Sequence, residues 1–181
     1  MNYVAVRVIP LLAFALGSAG IVAVSWTSLR HPRSHGFFRF FAFESLLGLI
    51  VLNARHWFSD PFAPRQLVSW ASLLGSAALA AHGFHLLRAV GKPEGRIEAT
   101  TRLVSVGAYR YIRHPLYGSL VLLGLGALLK RASLVTGGLA LVTLWALIAT
   151  ARAEERENLA RFGDAYAAYM KDTRMFVPFL L

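Results

Sequence analysis

Two polar clusters interrupt a chain that is otherwise strongly apolar, and both contain residue types that bind charged ligands. The first cluster runs from Gly107 to Tyr117 and includes Arg113 and His114. Because a residue that precedes proline avoids helical geometry, we expect His114 to be extended and Pro115 to begin a helix. The free N–H groups of that helix's first turn, together with Arg113 and His114, would bind a carboxylate or a phosphate. Contact with lipid phosphate is the alternative interpretation of the same residues.

The second cluster follows a long apolar stretch and is rich in glutamate and aromatic residues. Several members recur at steps of three and four residues, which predicts one stripe of an amphipathic helix: Arg152, Glu155, Leu159, Phe162, Tyr166 and Tyr169. On such a helix Glu154 lies about 100° away from Glu155 and is expected to contact something else. Interfacial helices favour lysine and arginine on their polar face, so Glu154, Glu155 and Glu157 need a cationic partner. That partner is either a cationic ligand or the arginines of the first cluster.

The composition assigns the chain to the integral membrane proteins. Of its 181 residues 56% are hydrophobic, and the mean hydropathy of +0.53 is too high for a soluble domain of this length. Cysteine is absent, which excludes disulfides and thiolate chemistry, and the six histidines lack the spacing of a metal site. The net charge of +10 comes from basic residues that flank apolar blocks. Anionic lipid headgroups explain that placement better than nucleic acid does.

Five apolar blocks approach the ~20 residues that a helix needs to cross a bilayer. They span residues 8–29, 37–52, 67–87, 115–129 and 133–151. The sequence therefore predicts an all-α integral membrane protein with about five transmembrane helices and a cytoplasmic C-terminal amphipathic helix. We expect a single membrane domain over residues 1–181, with three N-terminal spans in residues 1–99. Residues 100–181 would contain both polar clusters, and with them any ligand site, together with a helical hairpin and the C-terminal helix.

Small and polar residues inside the blocks predict contacts between helices. The fourth and fifth blocks are joined by a short turn, which predicts a tight antiparallel hairpin. Five glycines would allow the two backbones to approach closely: Gly118, Gly124, Gly126, Gly137 and Gly138. An acid within a span is costly, so Glu44 is expected to pair with another helix. We expect His82 and His85, near the end of the third block, to face lipid headgroups.

The distribution of basic residues predicts the orientation in the membrane. Five spans place the two termini on opposite sides. Of the 19 lysines and arginines, 14 then fall on the side of the C-terminus and 5 on the other side. The positive-inside rule places the 14 in the cytoplasm, together with both polar clusters. We therefore expect an external N-terminus and both clusters at the cytoplasmic face. The compactness of the chain favours an inner membrane of prokaryotic type.

The two clusters together resemble a known family in residue type and spacing. The first part of the pattern is Leu103-Val104-x-x-Gly107-x-Tyr109-x-x-x-Arg113-His114-Pro115-x-Tyr117. The second part is Glu154-Glu155-x-x-x-Leu159-x-x-Phe162-Gly163-x-x-Tyr166-x-x-Tyr169, followed by Pro178. This pattern resembles the isoprenylcysteine carboxyl methyltransferase family, and related small integral-membrane methyltransferases, phospholipid methyltransferases among them, are similar over the same region. The resemblance covers residues 100–179, whereas the first three blocks match only as apolar spans.

The resemblance implies a pocket for S-adenosylmethionine, with S-adenosylhomocysteine as the product, between the first cluster and the helix after the last span. Carried over position by position, it assigns eight residues to the cofactor: Leu103, Val104, Tyr109, His114, Pro115, Leu116, Tyr117 and Glu154. It implies no metal, and the methyl acceptor would be a lipophilic small molecule or a membrane lipid. The sequence indicates neither a nucleic-acid partner nor an obligate protein partner.

The class of methyl acceptor stays open at this point. A carboxylate of the isoprenylcysteine type needs no base but needs a cation to position it, for which Arg152 and Arg161 are candidates. An amine, a thiol or a hydroxyl of a lipid needs a proton acceptor, for which Glu155 is the candidate. Members of the family place an arginine where this chain has Thr150, so Arg152 is the nearest substitute.

Two other functions compete with methyl transfer. Membrane sterol and enone reductases carry a similar Arg-x-Pro-x-Tyr loop and bind NADPH, whose extra phosphate requires several arginines. The paired glutamates and the aromatic residues after them favour methyl transfer over reduction. The other is a non-catalytic membrane scaffold, in which both clusters only dock helices against one another. This function predicts that replacing Arg113, His114 or Glu154 causes folding defects and no other loss.

Overall fold

The protein is an assembly of helices, as the sequence predicts. The computed structural model describes residues 3–94 and 100–178, and over these ranges it contains no β-strand. Six α-helices follow one another along the chain: α1 (Tyr3–Leu29), α2 (His35–Asn53), α3 (Pro64–Ala89), α4 (Pro115–Lys130), α5 (Leu134–Phe162) and α6 (Asp164–Asp172). A 3-10 turn, Ala54–His56, extends α2, and a second one, Gly107–Arg110, precedes α4. The all-α prediction is confirmed.

Within the described parts of the chain, four segments are long and apolar enough to cross a membrane. They are Val8–Leu29, His35–His56, Pro64–Ala89 and Leu134–Phe162. The remaining apolar helix, α4, has 16 residues and reaches about 24 Å at 1.5 Å per residue. That length is below the ~30 Å of a bilayer's hydrocarbon core. Length and composition therefore support four spans, where the sequence predicted five.

Helix α4 packs mainly against α3, which differs from the predicted hairpin. Ser69 of α3 donates a hydrogen bond of 2.6 Å to the carbonyl oxygen of Gly126 in α4. A β-carbon at Gly126 would lie 2.8 Å from the Leu73 side chain, so this close approach requires glycine. Gly137 and Gly138 of α5 have no neighbouring atom within 4 Å of a β-carbon position. The tightest glycine-mediated contact therefore joins α3 to α4. Toward α5, a β-carbon at Gly124 would lie 3.9 Å from the Thr143 methyl group, so α4 and α5 approach each other less closely than predicted.

Helix α5 packs along α2 instead, and polar side chains join the two helices. Ser45 of α2 and Thr143 of α5 share a hydrogen bond of 2.9 Å, beside fully buried Leu49 and Leu147. This face of α5 also contacts α4, because Leu147 lies in one buried cluster with Tyr117 of α4. On the side of α1, Glu44 accepts a hydrogen bond of 2.9 Å from the Ser18 hydroxyl. The expectation that Glu44 pairs with another helix is confirmed.

The C-terminal part of the chain bends where the sequence predicted one continuous stripe. Helix α5 ends at Gly163, whose φ of +54° lies in the left-handed region that glycine adopts readily. The six stripe residues are therefore divided between α5 and α6. Arg152 and Leu159 are exposed. Glu155 and Tyr166 are buried. The prediction of a single stripe was wrong because the chain changes direction at Gly163.

At the end of α4, a lysine is fully buried. The Lys130 ammonium lies 3.0 Å from the side-chain oxygen of Gln66 and 3.6 Å from the centre of the Trp70 ring. The Trp57 ring lies 5.5 Å from the same ammonium. Gln66 in turn donates a hydrogen bond of 3.0 Å to the carbonyl oxygen of His56. This cluster, here called the lysine cluster (Lys130, Gln66, Trp57 and Trp70), ties α3, α4 and the turn after α2 together.

Candidate functional site

A cleft forms where the segment of residues 100–117 meets α5 and α6. It is lined by Leu87, Thr100, Leu103, Val104, Tyr109, Arg113, His114, Leu116, Tyr117, Glu154, Asn158, Phe162, Tyr166 and Tyr169. The cleft has a volume of about 70 Å³, which is below the 300–1,000 Å³ range of ligand sites. A cofactor-sized ligand therefore requires side-chain movement to enter.

Backbone geometry fixes the loop that precedes Tyr109 at the cleft. Gly107 has a φ of +60°, and a β-carbon there would lie 2.7 Å from the His82 imidazole. The same imidazole accepts a hydrogen bond of 3.3 Å from the N–H of Ala108. His82 thus holds the loop, where the sequence predicted contact with lipid headgroups. His85 is exposed.

The end of the described chain fastens the first cluster in place. Arg113 N–H donates to the carbonyl oxygen of Arg174 at 2.7 Å, and His114 N–H donates to that of Met175 at 3.2 Å. Helix α4 begins at Pro115, and His114 has a non-helical φ of −125° and ψ of 65°, as the proline predicts. These bonds orient the two side chains toward α5 while leaving the first turn of α4 at the cleft.

A buried ion pair joins the two clusters. The Nε of Arg113 donates to Glu155 at 2.7 Å, and the two side chains are only 11% and 9% exposed. The same guanidinium donates to the carbonyl oxygens of Thr173 at 2.5 Å and Met170 at 3.3 Å. The expectation that an arginine of the first cluster partners a glutamate of the second is confirmed. Glu155 is held by this pair and does not line the cleft.

Glu154 is the carboxylate that faces the cleft. It accepts a hydrogen bond of 2.5 Å from the Tyr117 hydroxyl and lies 3.9 Å from the Nδ1 of His114. The His114 ring stacks on the Tyr117 ring, with centres 5.4 Å apart and an angle of 22° between their planes. The other nitrogen of His114, Nε2, lies 3.4 Å from Glu155. The His114 imidazole therefore lies between the two carboxylates, of which Glu154 remains accessible to a ligand in the cleft.

The face of α5 that lines the cleft differs from the predicted stripe. Glu154, Asn158 and Phe162 follow one another at four-residue steps and all line it. The sequence analysis missed Asn158, although counting forward in fours from Glu154 would have found it. Leu87 and Thr100 were also missed, because no pattern connects them to either cluster.

Two predicted arginines lie outside the cleft. Arg152 is exposed and, two residues from Glu154, lies about 200° around the helix from it. Arg161 is exposed at the rim, where it donates a hydrogen bond of 3.3 Å to the carbonyl oxygen of Thr100. Thr150, at the position where the family has arginine, is buried and bonds to the carbonyl oxygen of Ala146 at 2.7 Å. The structure thus does not bring Arg152 to the predicted site.

Three buried tyrosines form the floor of the site. The pKa of Tyr166 is raised to about 12, mainly by burial; a hydrogen bond from Asn158 opposes this shift and the nearby carboxylates of Glu155 and Glu154 add to it. Burial also raises the pKa of Tyr109 and Tyr169. The Tyr169 hydroxyl donates a bond of 2.6 Å to the carbonyl oxygen of Tyr109. These phenols stay protonated at neutral pH, so they act as donors and ring faces and not as bases.

Seven of the eight residues that the resemblance assigns to a cofactor line this one cleft. The exception is Pro115, which is fully buried at the start of α4. Among the residues that the structure describes, no three histidine, aspartate or glutamate side chains are grouped to hold a metal ion. When the chain is compared with protein-family models, with curated proteins and with solved structures, none of the three comparisons gives a match.

Proposed function

We propose that the protein is an S-adenosylmethionine-dependent methyltransferase of the membrane that acts on a lipophilic substrate. One observation carries the proposal: residues of the methyltransferase-like pattern meet in one cleft although they come from distant parts of the chain. The hydrogen bond between Tyr117 and Glu154, for example, joins residues 37 positions apart. Docking of helices alone does not require an open, mixed polar and aromatic cleft at this junction.

The lining of the cleft suits the chemical groups of the proposed cofactor. Glu154 and Asn158 offer an acceptor and an amide for ribose hydroxyls and an amino group. Tyr109, Tyr117 and Phe162 offer ring faces for an adenine or for a sulfonium cation. The N–H groups at the start of α4 suit a carboxylate. When bound, S-adenosylmethionine supplies an electrophilic methyl group on its sulfonium.

The chain's own residues would orient the reactants and exclude water. The Arg113–Glu155 pair fixes the first cluster against α5, and so sets the position of His114 and of the α4 start. An acceptor that must lose a proton would transfer it to Glu154, because this carboxylate faces the cleft while Glu155 is bound to Arg113. A carboxylate acceptor would use Arg161, at the rim, as the nearer of the two candidate cations. Both acceptor classes remain part of the proposal.

The proposal includes the finer topology. Helix α4 would cross the membrane as a short fifth span beside α3, with the N-terminus outside and the cleft at the cytoplasmic face of a prokaryotic inner membrane. Because the chain has no cysteine, single cysteines can report this directly. Pro61→Cys should react with an impermeant maleimide from outside intact cells, and Asp164→Cys should react only after lysis. The reverse labelling pattern would show that the orientation in the membrane is opposite to the proposed one.

The NADPH-dependent reductase and the scaffold are the alternatives. Among the described residues, Arg113 is the one arginine that lines the cleft, and its donors already bind Glu155, Thr173 and Met170. A nucleotide with an extra phosphate requires more cationic donors than this lining provides. A protein that only docks helices would not need a Glu154 carboxylate that faces an open cleft.

A binding competition tests the function and separates these alternatives. Purified protein in detergent is incubated with tritiated S-adenosylmethionine, and bound label is counted after addition of either S-adenosylhomocysteine or NADPH. We expect micromolar S-adenosylhomocysteine to displace the label and NADPH to leave it bound. Displacement by NADPH would favour the reductase, and the absence of any bound label would favour the scaffold. Labelled methyl transfer into a membrane lipid extract would then identify the acceptor.

A further inference from the structure

A second concavity lies between α1, α2 and α5 and shares no lining residue with the cleft. We call it the lateral groove; it has a volume of about 870 Å³. Its walls are mainly apolar side chains, among them Phe14 of α1 and Leu139 and Val142 of α5. Val142 is 44% exposed and Leu11, also in the wall, is 69% exposed. The groove is therefore open along its length to the surroundings of the helices.

One end of the lateral groove is basic. Arg55 and His56, in the turn after α2, line it together with Arg131, which follows α4. The Arg131 guanidinium donates a hydrogen bond of 2.9 Å to the His56 ring nitrogen. The positive charge of this end comes from the two arginines. The basic end lies where α2 reaches the end of its apolar stretch, as expected at the level of lipid headgroups.

Farther along the groove lies Glu44, which accepts a hydrogen bond from Ser18, and Phe41 lines the groove nearly one turn beyond it. Glu44 precedes Arg55 by eleven residues, which corresponds to about 16 Å along a helix. This distance is about half of the ~30 Å hydrocarbon core. The apolar part of the groove thus has the depth of one leaflet. A lipid chain that enters from the basic end would reach this polar pair near the middle of the bilayer.

We propose that the lateral groove binds one anionic phospholipid. Its phosphate would contact Arg55, His56 and Arg131, and one acyl chain would lie along the wall formed by Phe14, Leu139 and Val142. Charge complementarity selects this occupant: the basic end favours a lipid with net negative charge over a zwitterionic lipid of the same chain length. The apolar walls and the one-leaflet depth favour a phospholipid over free phosphate. This site is independent of the methyl transfer proposed for the cleft.

Native mass spectrometry of the detergent-purified full chain tests the proposal. Phosphatidylglycerol and phosphatidylcholine with identical acyl chains are titrated separately, and the first bound lipid is counted. The test protein is the double variant Arg55→Gln/Arg131→Gln. The control is the double variant Arg30→Gln/Arg33→Gln, which removes the same charge from the loop between α1 and α2. We expect the first double variant to bind phosphatidylglycerol roughly thirtyfold more weakly, because each of the two arginines contributes about 1 kcal/mol. The second should bind it like the wild type.

A matched pair of bulky substitutions tests the acyl-chain half of the site. Val142→Trp fills the groove, whereas Val68→Trp adds the same side chain at an exposed position on α3 outside it. We expect Val142→Trp to weaken phosphatidylglycerol binding several-fold while Val68→Trp leaves it unchanged. Unaltered elution and helicity would show that both variants fold.

Four outcomes would overturn the proposal. They are equal binding of the two lipids, equal losses in the two arginine double variants, wild-type binding by Val142→Trp, and displacement of the lipid by inorganic phosphate at similar concentrations.

Discussion

Each end of α4 holds a buried cation, and the two cations are stabilised by different kinds of contact. Before the helix, Arg113 is paired with the Glu155 carboxylate at 2.7 Å beside an open cleft. At its other end, Lys130 is fully buried against the neutral Gln66 amide and the Trp70 ring. A buried charge by itself therefore does not mark a functional site. What distinguishes the first end is a second carboxylate, Glu154, that remains open to a ligand.

The energetics of the two ends differ accordingly. A desolvated cation over an indole ring gains about 2 kcal/mol, which stabilises Lys130 without any opposite charge. The Arg113–Glu155 pair depends on both partners, because either one alone would be an uncompensated buried charge. The lysine cluster stabilises the packing of α3 against α4, whereas the ion pair fixes the position of residues that line the cleft. Substitutions at the two ends should therefore have separable effects.

The largest expected effect is at the ion pair. Arg113→Met removes the closest cationic partner of the buried Glu155 carboxylate and leaves it the His114 nitrogen at 3.4 Å, so we expect the fold to be destabilised by about 3 kcal/mol. Unfolding in mixed micelles, followed by circular dichroism, measures this change. The double variant Arg113→Met with Glu155→Met should recover much of the loss, because it buries no charge. Equal stability of the single variant and the wild type would show that the pair contributes nothing.

A smaller effect is expected at the opposite end. Lys130→Met keeps the apolar contact with the tryptophans but leaves the Gln66 oxygen without its donor, which costs about 2 kcal/mol. Cofactor affinity should not change, because Lys130 lies at the far end of α4 from the cleft. Unfolding and S-adenosylhomocysteine titration of the same preparation measure the two quantities. A loss of affinity that exceeds the loss of stability would break the proposed separation between the two ends.

The smallest effect concerns alkaline pH. The pKa of Tyr166 is raised from 10.0 to about 12 in the folded protein. Between these values the unfolded chain loses the phenolic proton first, so this tyrosine makes stability fall as the pH rises from 10 to 12. By pH 11 the loss is about 1 kcal/mol. Tyr166→Phe should flatten this part of the stability profile, and an unchanged slope would show that Tyr166 is not protected by burial.

Much of the site could be predicted from local rules, and the rest depends on contacts between distant segments. The start of α4 follows from Pro115, and the spacing of the two clusters identified Glu154 and Tyr117 as neighbours. The α3–α4 contact could not be predicted, because it rests on serine hydroxyls that reach backbone carbonyls of another helix. The predicted stripe was wrong in two respects. Helical periodicity was extended through Gly163, whose left-handed φ ends the helix, and on α5 itself the face toward the cleft carries Glu154, Asn158 and Phe162. Arg152 was a candidate because it is close in sequence to Thr150, which does not determine the side of the helix on which it lies.

The central claim is that Glu154 and the residues around it form a cofactor site, and isothermal titration calorimetry tests it most directly. Wild-type protein, Glu154→Gln and Glu157→Gln are titrated with S-adenosylhomocysteine under identical conditions. The control residue lies one helical turn away and pairs with His35 at 2.7 Å, outside the cleft. We predict micromolar binding by the wild type, at least roughly tenfold weaker binding by Glu154→Gln, and wild-type binding by Glu157→Gln. No binding by the wild type, or equal affinities for all three proteins, would contradict the account.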